Sequence, residues 1–296
     1  MREETSALWK GVALVGLALA LGGCAVPTRV SMTPEQRSKI TEVRAHIVVV
    51  QDEVIAAVQP SNVSVATGGG LIGAMIDSSI TNSRVKDSQE MLGPFYAEIE
   101  SVDYRREFNE AIRADLANYP IKVGEIVTTP RAFSQAELTR LRGTLKPGQA
   151  LLVVYPRYYL TMDFRSFDAE AVVSTWLPGD DRLPVQRGVL YYQSQPVGSG
   201  GRDSIAKWSA ANAERFRATM RESIVETIRL VRMDVNVTEP AATVPIRSFP
   251  FNTGAQQGEI KGRVVSETAD RLVILGESKK LYSLPKTSAA VAATAP

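Results

Sequence analysis

The sequence ALLVVYPRYYLTMDF at residues 150–164 is the strongest strand signal in the chain. Ala150–Tyr155 and Tyr158–Phe164 are dominated by β-branched and aromatic residues, which favour extended backbone. In the second segment the apolar residues 160, 162 and 164 alternate with polar ones. That alternation predicts a strand with one buried and one exposed face.

Two more strands and a long helix follow this stretch. Asp168–Trp176 and Arg187–Ser194 have the same strand character, and Pro178–Asp181 is a turn between them. Short strands joined by turns predict an antiparallel meander. A helix is predicted over residues 203–233 because one apolar stripe runs along it: Ile205, Trp208, Phe216, Met220, Ile224, Ile228 and Val231. We expect this stripe to cover the meander, which makes the fold class α+β.

The flanking segments complete the predicted fold. Helix-start signals stand at Thr33, Asp103 and Ser134, and β-branched residues predict three more strands: Ile47–Val50, Val54–Val58 and Val123–Thr129. Beyond Pro240 and Pro245, three short strands are predicted at Ile260–Ser266, Arg271–Leu275 and Lys280–Leu284. These last strands either form a small barrel-like module or extend the main sheet.

The composition excludes much enzyme chemistry. Cys24 is the single cysteine and His46 the single histidine of the 296 residues, so neither an intramolecular disulfide nor a cysteine metal cluster can form. Most zinc sites are excluded as well, and a Ser-His-Asp arrangement is restricted to the surroundings of His46. The net charge of +2 gives no long-range attraction for nucleic acid. We expect no cofactor and no bound metal.

The N-terminus has the pattern of an export signal. Arg2 and Lys10 precede the apolar run GVALVGLALA at residues 11–20, and apolar and small residues continue to Cys24. A positive segment before an apolar core of about 7–15 residues is the secretory signal pattern. The run is shorter than the roughly 20 residues that a membrane-spanning helix needs. The alternative is an uncleaved signal anchor with an incidental cysteine.

The junction Leu21-Gly22-Gly23-Cys24 resembles the lipobox of bacterial lipoproteins, in which a branched apolar residue and two small ones precede the lipidated cysteine. The resemblance implies cleavage before Cys24 and acylation of that residue. Ala25 stands where an aspartate would signal retention at the inner membrane, so the resemblance implies the periplasmic face of the outer membrane. Residues 24–33 would then be a lipidated tether spanning about 15–20 Å.

These boundaries divide the chain into five predicted parts: a signal peptide at residues 1–23, the tether at 24–33, an α+β domain at 34–239, a small β module at 243–286 and a disordered tail at 287–296. The part after Cys24 is only loosely similar to periplasmic lipoproteins of Gram-negative envelopes. No motif within it identifies a particular family.

An uncharged apolar segment at residues 63–76 is the main candidate for contact with another molecule. It contains Gly69, Gly70, Leu71, Ile72, Gly73 and Met75, and Asp77 is the first charge after it. Burial in the core is the alternative for these apolar residues. The glycines precede a predicted helix, as in phosphate-binding loops, but no Lys-Ser/Thr follows and the order is not GxGxxG. We therefore expect no nucleotide site here.

Other groups are weaker candidates for chemistry: the pair Asp163 and Asp168, the pair Asp180 and Asp181, Ser199 and His46. The first pair has the spacing of an acid and a base across a bend, although both are predicted on the polar side of strands. The second pair lacks the further oxygen ligands that a cation needs. The serine lacks a GxSxG frame, and the histidine is predicted to be structural or at the surface. We predict no catalytic residue.

Together these features predict a non-enzymatic envelope lipoprotein whose domain binds another protein or a second copy of itself. The lipid would hold the domain at the membrane, and such tethering raises the effective concentration of a weak interaction. One alternative is a periplasmic carrier or sensor of lipid or a small apolar ligand, which an apolar pocket between the meander and the long helix would favour. Another is a hydrolase of envelope polymers, which requires convergent carboxylates in a cleft.

Overall fold

The computed structural model describes residues 27–51, 54–56, 92–179, 183–237, 241, 243–252, 254 and 257–286. From Thr28 onward these residues belong to one compact unit. The helices are α1 (Pro34–Ser38), α2 (residues 92–99), α3 (Tyr104–Asp115), α4 (Gln135–Gly143) and α5 (Gly201–Asp234). The strands are β1 (Glu42–Val48), β2 (Ile55–Ala56), β3 (Lys122–Thr129), β4 (Gln149–Leu160), β5 (Phe167–Trp176), β6 (Gln186–Gln193), β7 (Arg247–Asn252), β8 (Gln257–Glu267), β9 (Arg271–Gly276) and β10 (Leu281–Pro285).

Ten strands of the described residues form one sheet. Its order is β3-β1-β4-β5-β6-β10-β9-β8-β7, and β2 pairs separately with β4. The pairs within β4–β5–β6 and within β10–β9–β8–β7 are antiparallel, whereas β1–β3, β1–β4, β2–β4 and β6–β10 are parallel. The predicted combination of a mostly antiparallel sheet and a long helix is confirmed. The parallel pairs were not predicted, because the residue pattern of a strand does not specify its partner.

β4 is one long strand where the sequence predicted two. It continues through Pro156, which has no N–H to donate to a neighbouring strand. Proline is tolerated there because β1 pairs with β4 only up to Val154 and β2 pairs from Tyr159. The predicted strand Tyr158–Phe164 is wrong beyond residue 160, where the chain turns towards β5 with Phe164 at a φ of 59°.

β1 begins earlier than predicted and contains His46, which we expected to precede the strand. The residues Glu42, Arg44 and His46 alternate with Val43, Ala45 and Ile47. Because the first half of β1 is polar on one side, the run of β-branched residues predicted only the end of the strand.

The main core lies between the helices and one face of the sheet, called here the helix-covered face. Its buried members come mainly from β1, β4, β5, β6, α2, α3 and α5. They include Phe108 and Ile112 of α3, Trp208, Phe216 and Met220 of α5, and Ala169, Ala171, Val173, Leu190 and Tyr192 of the central strands. Each fully buried large apolar side chain contributes roughly 1.5–3 kcal/mol to stability. The helices therefore hold the central strands in place.

A second, smaller core lies on the opposite face of the sheet. Phe249, Ile274 and Leu284 are buried there together, with Phe251 and Tyr282 packed against them. The end of β7 reaches back to the end of β6, where the backbone N–H of Asn252 donates to Gln193 Oε1 at 3.0 Å. The three predicted C-terminal strands correspond to β8, β9 and β10, and the pairing of β10 with β6 makes them a continuation of the main sheet. β7 was not predicted.

The long helix α5 is interrupted where the sequence predicted an unbroken one. Ala211, Asn212 and Ala213 have φ values of 52°, 56° and 54°, which lie in the left-handed region. The apolar stripe continues on both sides, since Trp208 and Phe216 are both fully buried. None of the described helices is long and apolar enough to cross a bilayer.

Candidate functional site

The chain packs against the domain only five residues after Cys24. Val30 and Arg187 of β6 exchange two backbone hydrogen bonds, each of 2.9 Å. Arg29 forms an ion pair with Asp234 at the end of α5, and the two side chains are only 5% and 0% exposed. The predicted tether is therefore not free chain beyond Thr28, because its second half is packed on the sheet.

The environment of the Asp234 carboxylate is complementary to the Arg29 side chain. Gln186 donates a second hydrogen bond to this carboxylate, and Arg29 Nε donates to the carbonyl oxygen of Lys279 at 3.2 Å. Gly188 is required beside it, since a Cβ there would overlap the carboxylate oxygens. Burial raises the pKa of Asp234, and the charge of Arg29 opposes that effect. These contacts form a docking site for the N-terminal segment, called here the Arg29 dock.

Arg29 and Asp234 were missed because they are 205 positions apart in the sequence. One signal was present. Asp234 lies three residues after Val231, so it continues the buried stripe of α5 with a carboxylate. A charge on a buried stripe requires a partner, but a single sequence does not identify which cation supplies it.

Most predicted site residues lie outside the described residues. These are the lipobox residues Leu21, Gly22, Gly23 and Cys24, the segment residues Gly69, Gly70, Leu71, Ile72, Gly73 and Met75, and the turn residues Asp180 and Asp181. Ser199 is described, and it lies just before α5, where its N–H and Oγ both donate to Asp203 Oδ2, at 2.7 and 3.0 Å. That is a structural role.

Asp168 lies at the centre of a polar row on the opposite face of the sheet. Tyr159, Asp168 and Gln193 stand directly opposite one another on β4, β5 and β6. Asp168 is 2% exposed and accepts hydrogen bonds from the Tyr191 hydroxyl and from Gln193 Nε2, the latter at 3.1 Å. Burial raises the pKa of Asp168 to about 8. Asp168 lies on the polar side of its strand, as predicted, but its burial was not predicted; the end of β7 packs over the end of β6 beside it.

Asp163 does not form an acid–base pair with Asp168. It lies in the β4–β5 turn, where it accepts from the Thr161 hydroxyl at 2.6 Å and from the backbone N–H of Arg165 at 3.0 Å. These are contacts within the turn. Asp168 has both oxygens engaged by protein donors and almost no exposed surface, so it is not placed within hydrogen-bond reach of a substrate.

His46 is buried beneath Phe133 on the opposite face of the sheet. It is 5% exposed, and the two ring centroids are 5.5 Å apart with the rings edge to face. Neither ring nitrogen has a hydrogen-bond partner among the described residues. Burial lowers the pKa of His46, and the charge of Arg44 lowers it further. The histidine is a neutral packing residue here, and it has no described partner that would make it a base.

A groove of about 610 Å³ lies at the C-terminal end of α5. It is lined equally by polar and apolar residues: Asn118, Arg229, Arg232, Asn236, Met233, Val237, Val264 and Val265. Both arginines have acidic partners, Arg229 with Glu226 and Arg232 with Asp115. The groove borders β8 and not the β4–β6 strands, so it is not the apolar pocket that a lipid carrier was expected to have.

The described residues contain no cluster of three or more His, Cys, Asp or Glu arranged to hold a metal ion. The Arg29 dock and the surroundings of Asp168 are buried polar arrangements within the part of the chain that the structure describes. Comparisons of the chain with protein-family models, with curated proteins and with solved structures found no match.

Proposed function

We propose that the protein is a lipid-anchored envelope protein that acts as a non-enzymatic binding or scaffold subunit. In this proposal the acylated Cys24 holds the domain at the periplasmic face of the outer membrane. The segment containing Gly69, Gly70, Leu71, Ile72, Gly73 and Met75 contacts another protein or a second copy of the chain. The anchor is supported by the signal pattern, by the resemblance to a lipobox and by the single cysteine. Because the sequence has no second cysteine, no intramolecular disulfide competes for the Cys24 thiol.

The observation that carries the proposal is the position of the two connections on the sheet. The Arg29 dock lies beside Arg187 of β6. Across the sheet, Arg187 pairs with Ser174, and Ser174 pairs with Val153 of β4. The dock is therefore level with Val153. The chain leaves for residues 57–91 after Ala56, which pairs with Leu160 of the same strand β4.

Val153 and Leu160 are seven residues apart on β4. At about 3.3 Å per residue they are separated by roughly 23 Å. The chain returns at this far end too, since the Tyr96 hydroxyl of α2 donates to the carbonyl oxygen of Val54 at 2.6 Å. The described chain thus continues towards Cys24 and towards residues 57–91 from two separate points of the sheet, which supports a subunit that is tethered through one segment and binds through another.

A binding role is also supported by the hydrogen bonds of three described side chains that were candidates for catalysis. Asp168, Asp163 and Ser199 each have their acceptors or donors engaged within the fold. A general acid or base must reach the reacting group within hydrogen-bond distance. Asp168, at 2% exposed, does not reach solvent.

The anchor is tested by Cys24→Ala. We expect the wild-type protein to fractionate with membranes and the variant to be soluble after export. Ala25→Asp is the matched control for the sorting rule, and it should move the protein from the outer to the inner membrane without releasing it. Retention of Cys24→Ala in the membrane fraction would overturn the anchor.

The binding role is tested by placing a photoreactive amino acid at Leu71 in intact cells, with Arg215 on the exposed side of α5 as the control position. We expect a discrete protein adduct from position 71 and none from position 215. Because tethering raises the effective concentration, Cys24→Ala should also reduce the adduct. Equal labelling from both positions would contradict a binding role for the segment.

A further inference from the structure

We propose that the end of the domain that carries the Arg29 dock faces the lipid surface, and that the side chains of Leu183 and Ile246 contact it. This inference rests on the proposed anchor at Cys24 and adds the orientation of the domain. The partner is the interfacial region of a bilayer, which accepts aliphatic side chains at its boundary.

The first step is the reach of the chain from Cys24. Arg29 lies five positions after Cys24, and its guanidinium is buried against Asp234. A fully extended chain of this length spans at most about 17 Å. A lipid on Cys24 therefore limits the distance between Cys24 and the docked end of the sheet to about 17 Å.

The second step is the position of the exposed apolar side chains. Among the described residues four large apolar side chains are exposed: Val50, Leu183, Val225 and Ile246, at 37%, 52%, 65% and 46%. Leu183 lies in the β5–β6 connection, two residues before Val185, whose N–H donates to Thr175 at the end of β5. Val30 pairs with Arg187 just beyond it.

Ile246 lies at the same end of the sheet. It precedes β7, whose first residue Arg247 pairs with Gly262, and Gly262 pairs with Gly276 at the end of β9. The β9–β10 turn follows Gly276 and contains Lys279, which receives the hydrogen bond from Arg29. Two of the four exposed apolar side chains thus lie at the docked end.

The remaining two serve as matched controls. Val50 comes three residues after Ile47, which pairs with Val154 of β4. Because β1 and β4 are parallel, Val50 lies towards the Leu160 end of β4, away from the dock. Val225 lies on the outer side of α5, between the buried residues Ile224 and Glu226. A bilayer that meets the docked end does not meet either of these side chains.

The test uses the full lipidated protein with one introduced cysteine at a time: Leu183→Cys, Ile246→Cys, Val50→Cys and Val225→Cys. Because the lipid occupies the natural cysteine, the introduced thiol is the only one available for an environment-sensitive NBD label. Each labelled protein is reconstituted into vesicles of phosphatidylethanolamine and phosphatidylglycerol, with and without nitroxide-bearing lipid. All four positions are exposed, and circular dichroism checks that each variant is folded.

We expect the labels at 183 and 246 to emit at shorter wavelength on the vesicles and to be quenched by the nitroxide lipid. The labels at 50 and 225 should emit as they do in detergent-free buffer and resist quenching. Four equivalent emission maxima would overturn the proposed orientation.

Intact mass distinguishes the two proposals. If Cys24 is acylated and the labels at 183 and 246 stay in water, the orientation is wrong and the anchor stands. If Cys24 carries no acyl group and the protein does not bind the vesicles, the anchor and the orientation fail together.

Discussion

At the scale of single residues, the molecule holds two titratable groups in unfavourable surroundings, Asp168 and His46. Asp168 is a carboxyl that keeps its proton near neutral pH, and His46 is an imidazole that stays neutral. Both effects come first from burial, which disfavours the charged form of either group. Their contributions to stability therefore have opposite dependence on pH.

Asp168→Asn should remove a pH-dependent loss of stability. The pKa of Asp168 is about 8 in the folded state, against about 3.9 for an unfolded chain. Between these values the folded protein binds the extra proton, so its free energy of unfolding falls as pH rises, by about 1.4 kcal/mol per pH unit. Asparagine is uncharged at every pH, as the protonated carboxyl is, and its oxygen can still accept from Gln193 Nε2.

Urea unfolding at pH 5 and pH 7 measures this effect. We expect the free energy of unfolding of the variant, relative to that of the wild type, to increase by about 2–3 kcal/mol from pH 5 to pH 7. Glu110→Gln is the control, because Glu110 is an exposed carboxylate on α3 whose side chain is 70% accessible. Parallel stability curves for the wild type and Asp168→Asn would mean that Asp168 ionises normally.

His46→Leu should remove a loss of stability in acid. Burial lowers the pKa of His46 below the ordinary value of about 6.5, so the unfolded chain takes up the proton first as pH falls. The free energy of unfolding then decreases below pH 6.5, by up to about 1.4 kcal/mol per pH unit until the folded pKa is reached. Leucine fits beside Val127 and Val153, its neighbours on β3 and β4.

Chemical unfolding at pH 7.5 and pH 5.5 compares two proteins that both carry Asp168→Asn, one with His46 and one with His46→Leu. We expect equal or greater stability of His46→Leu at pH 7.5 and a widening advantage at pH 5.5. A constant difference at the two pH values would contradict a depressed pKa.

Sequence reasoning reached these residues only in part. It identified His46 as a structural or surface residue and Asp168 as a polar strand residue, but it did not predict that either is buried. Burial of Asp168 depends on the end of β7, where Asn252 contacts Gln193 from 59 positions further along the chain. The alternation of polar and apolar residues within a strand indicates which face of the strand is polar. It does not indicate whether another part of the chain packs over that face.

At the scale of secondary-structure elements, the interruption of α5 is the feature that departs most from local expectation. Ala211 and Ala213 adopt left-handed backbone without being glycine. For an L-residue with a Cβ this conformation costs roughly 1–2 kcal/mol. The interruption resets the helix so that Trp208 and Phe216 are both buried, and their rings lie edge to face with centroids 6.2 Å apart.

Ala211→Gly should stabilise the protein by about 0.5–1 kcal/mol, because glycine adopts positive φ without the Cβ penalty. Ala206→Gly is the matched control: it is equally exposed but lies in regular helix, where glycine costs about 1 kcal/mol. Equilibrium urea unfolding at fixed pH measures both. If both glycine variants are destabilised alike, the helix is continuous at residue 211.

Element boundaries were predictable where capping residues or clean alternation specified them. The Ser134 and Glu137 capping box starts α4, and Thr33 caps α1 with Gln36. The continuous β4 was not predictable, because Pro156 is a strand breaker unless its edge is unpaired. That condition depends on where β1 ends and β2 begins, which the residues of β4 do not encode.

At the scale of the whole molecule, two buried arginines hold distant parts of the chain together. Arg271 of β9 donates to Ser283, to the carbonyl oxygen of Gln193 and to Glu222 of α5, and its guanidinium lies 4.3 Å from the Tyr192 ring centroid. It ties the C-terminal strands to the long helix. Arg29 ties the N-terminal segment to the end of the same helix.

The Arg29 dock is the contact on which the proposed orientation depends, and a double-mutant cycle measures its strength. Arg29→Met leaves the buried Asp234 without a counter-charge, which costs about 3–5 kcal/mol. Arg29→Met combined with Asp234→Asn should recover much of this loss, since the amide can still accept from Gln186. Arg37→Met is the control, because Arg37 bonds the Pro120 carbonyl oxygen at an exposed site, where the loss should be below about 1 kcal/mol.

Hydrogen exchange at the amides of Val30 and Arg187 reports the docking directly, because those two N–H groups bond each other's carbonyl oxygens. Arg29→Met should accelerate exchange at both amides more than at Val153 in the central strand β4. The double variant should restore only part of the protection, since it keeps the backbone pair but loses the ion pair. Unchanged exchange in Arg29→Met, with a stability loss no larger than that of Arg37→Met, would mean that the segment is held by its backbone pair alone. The proposed orientation would then depend on Val30 and not on Arg29.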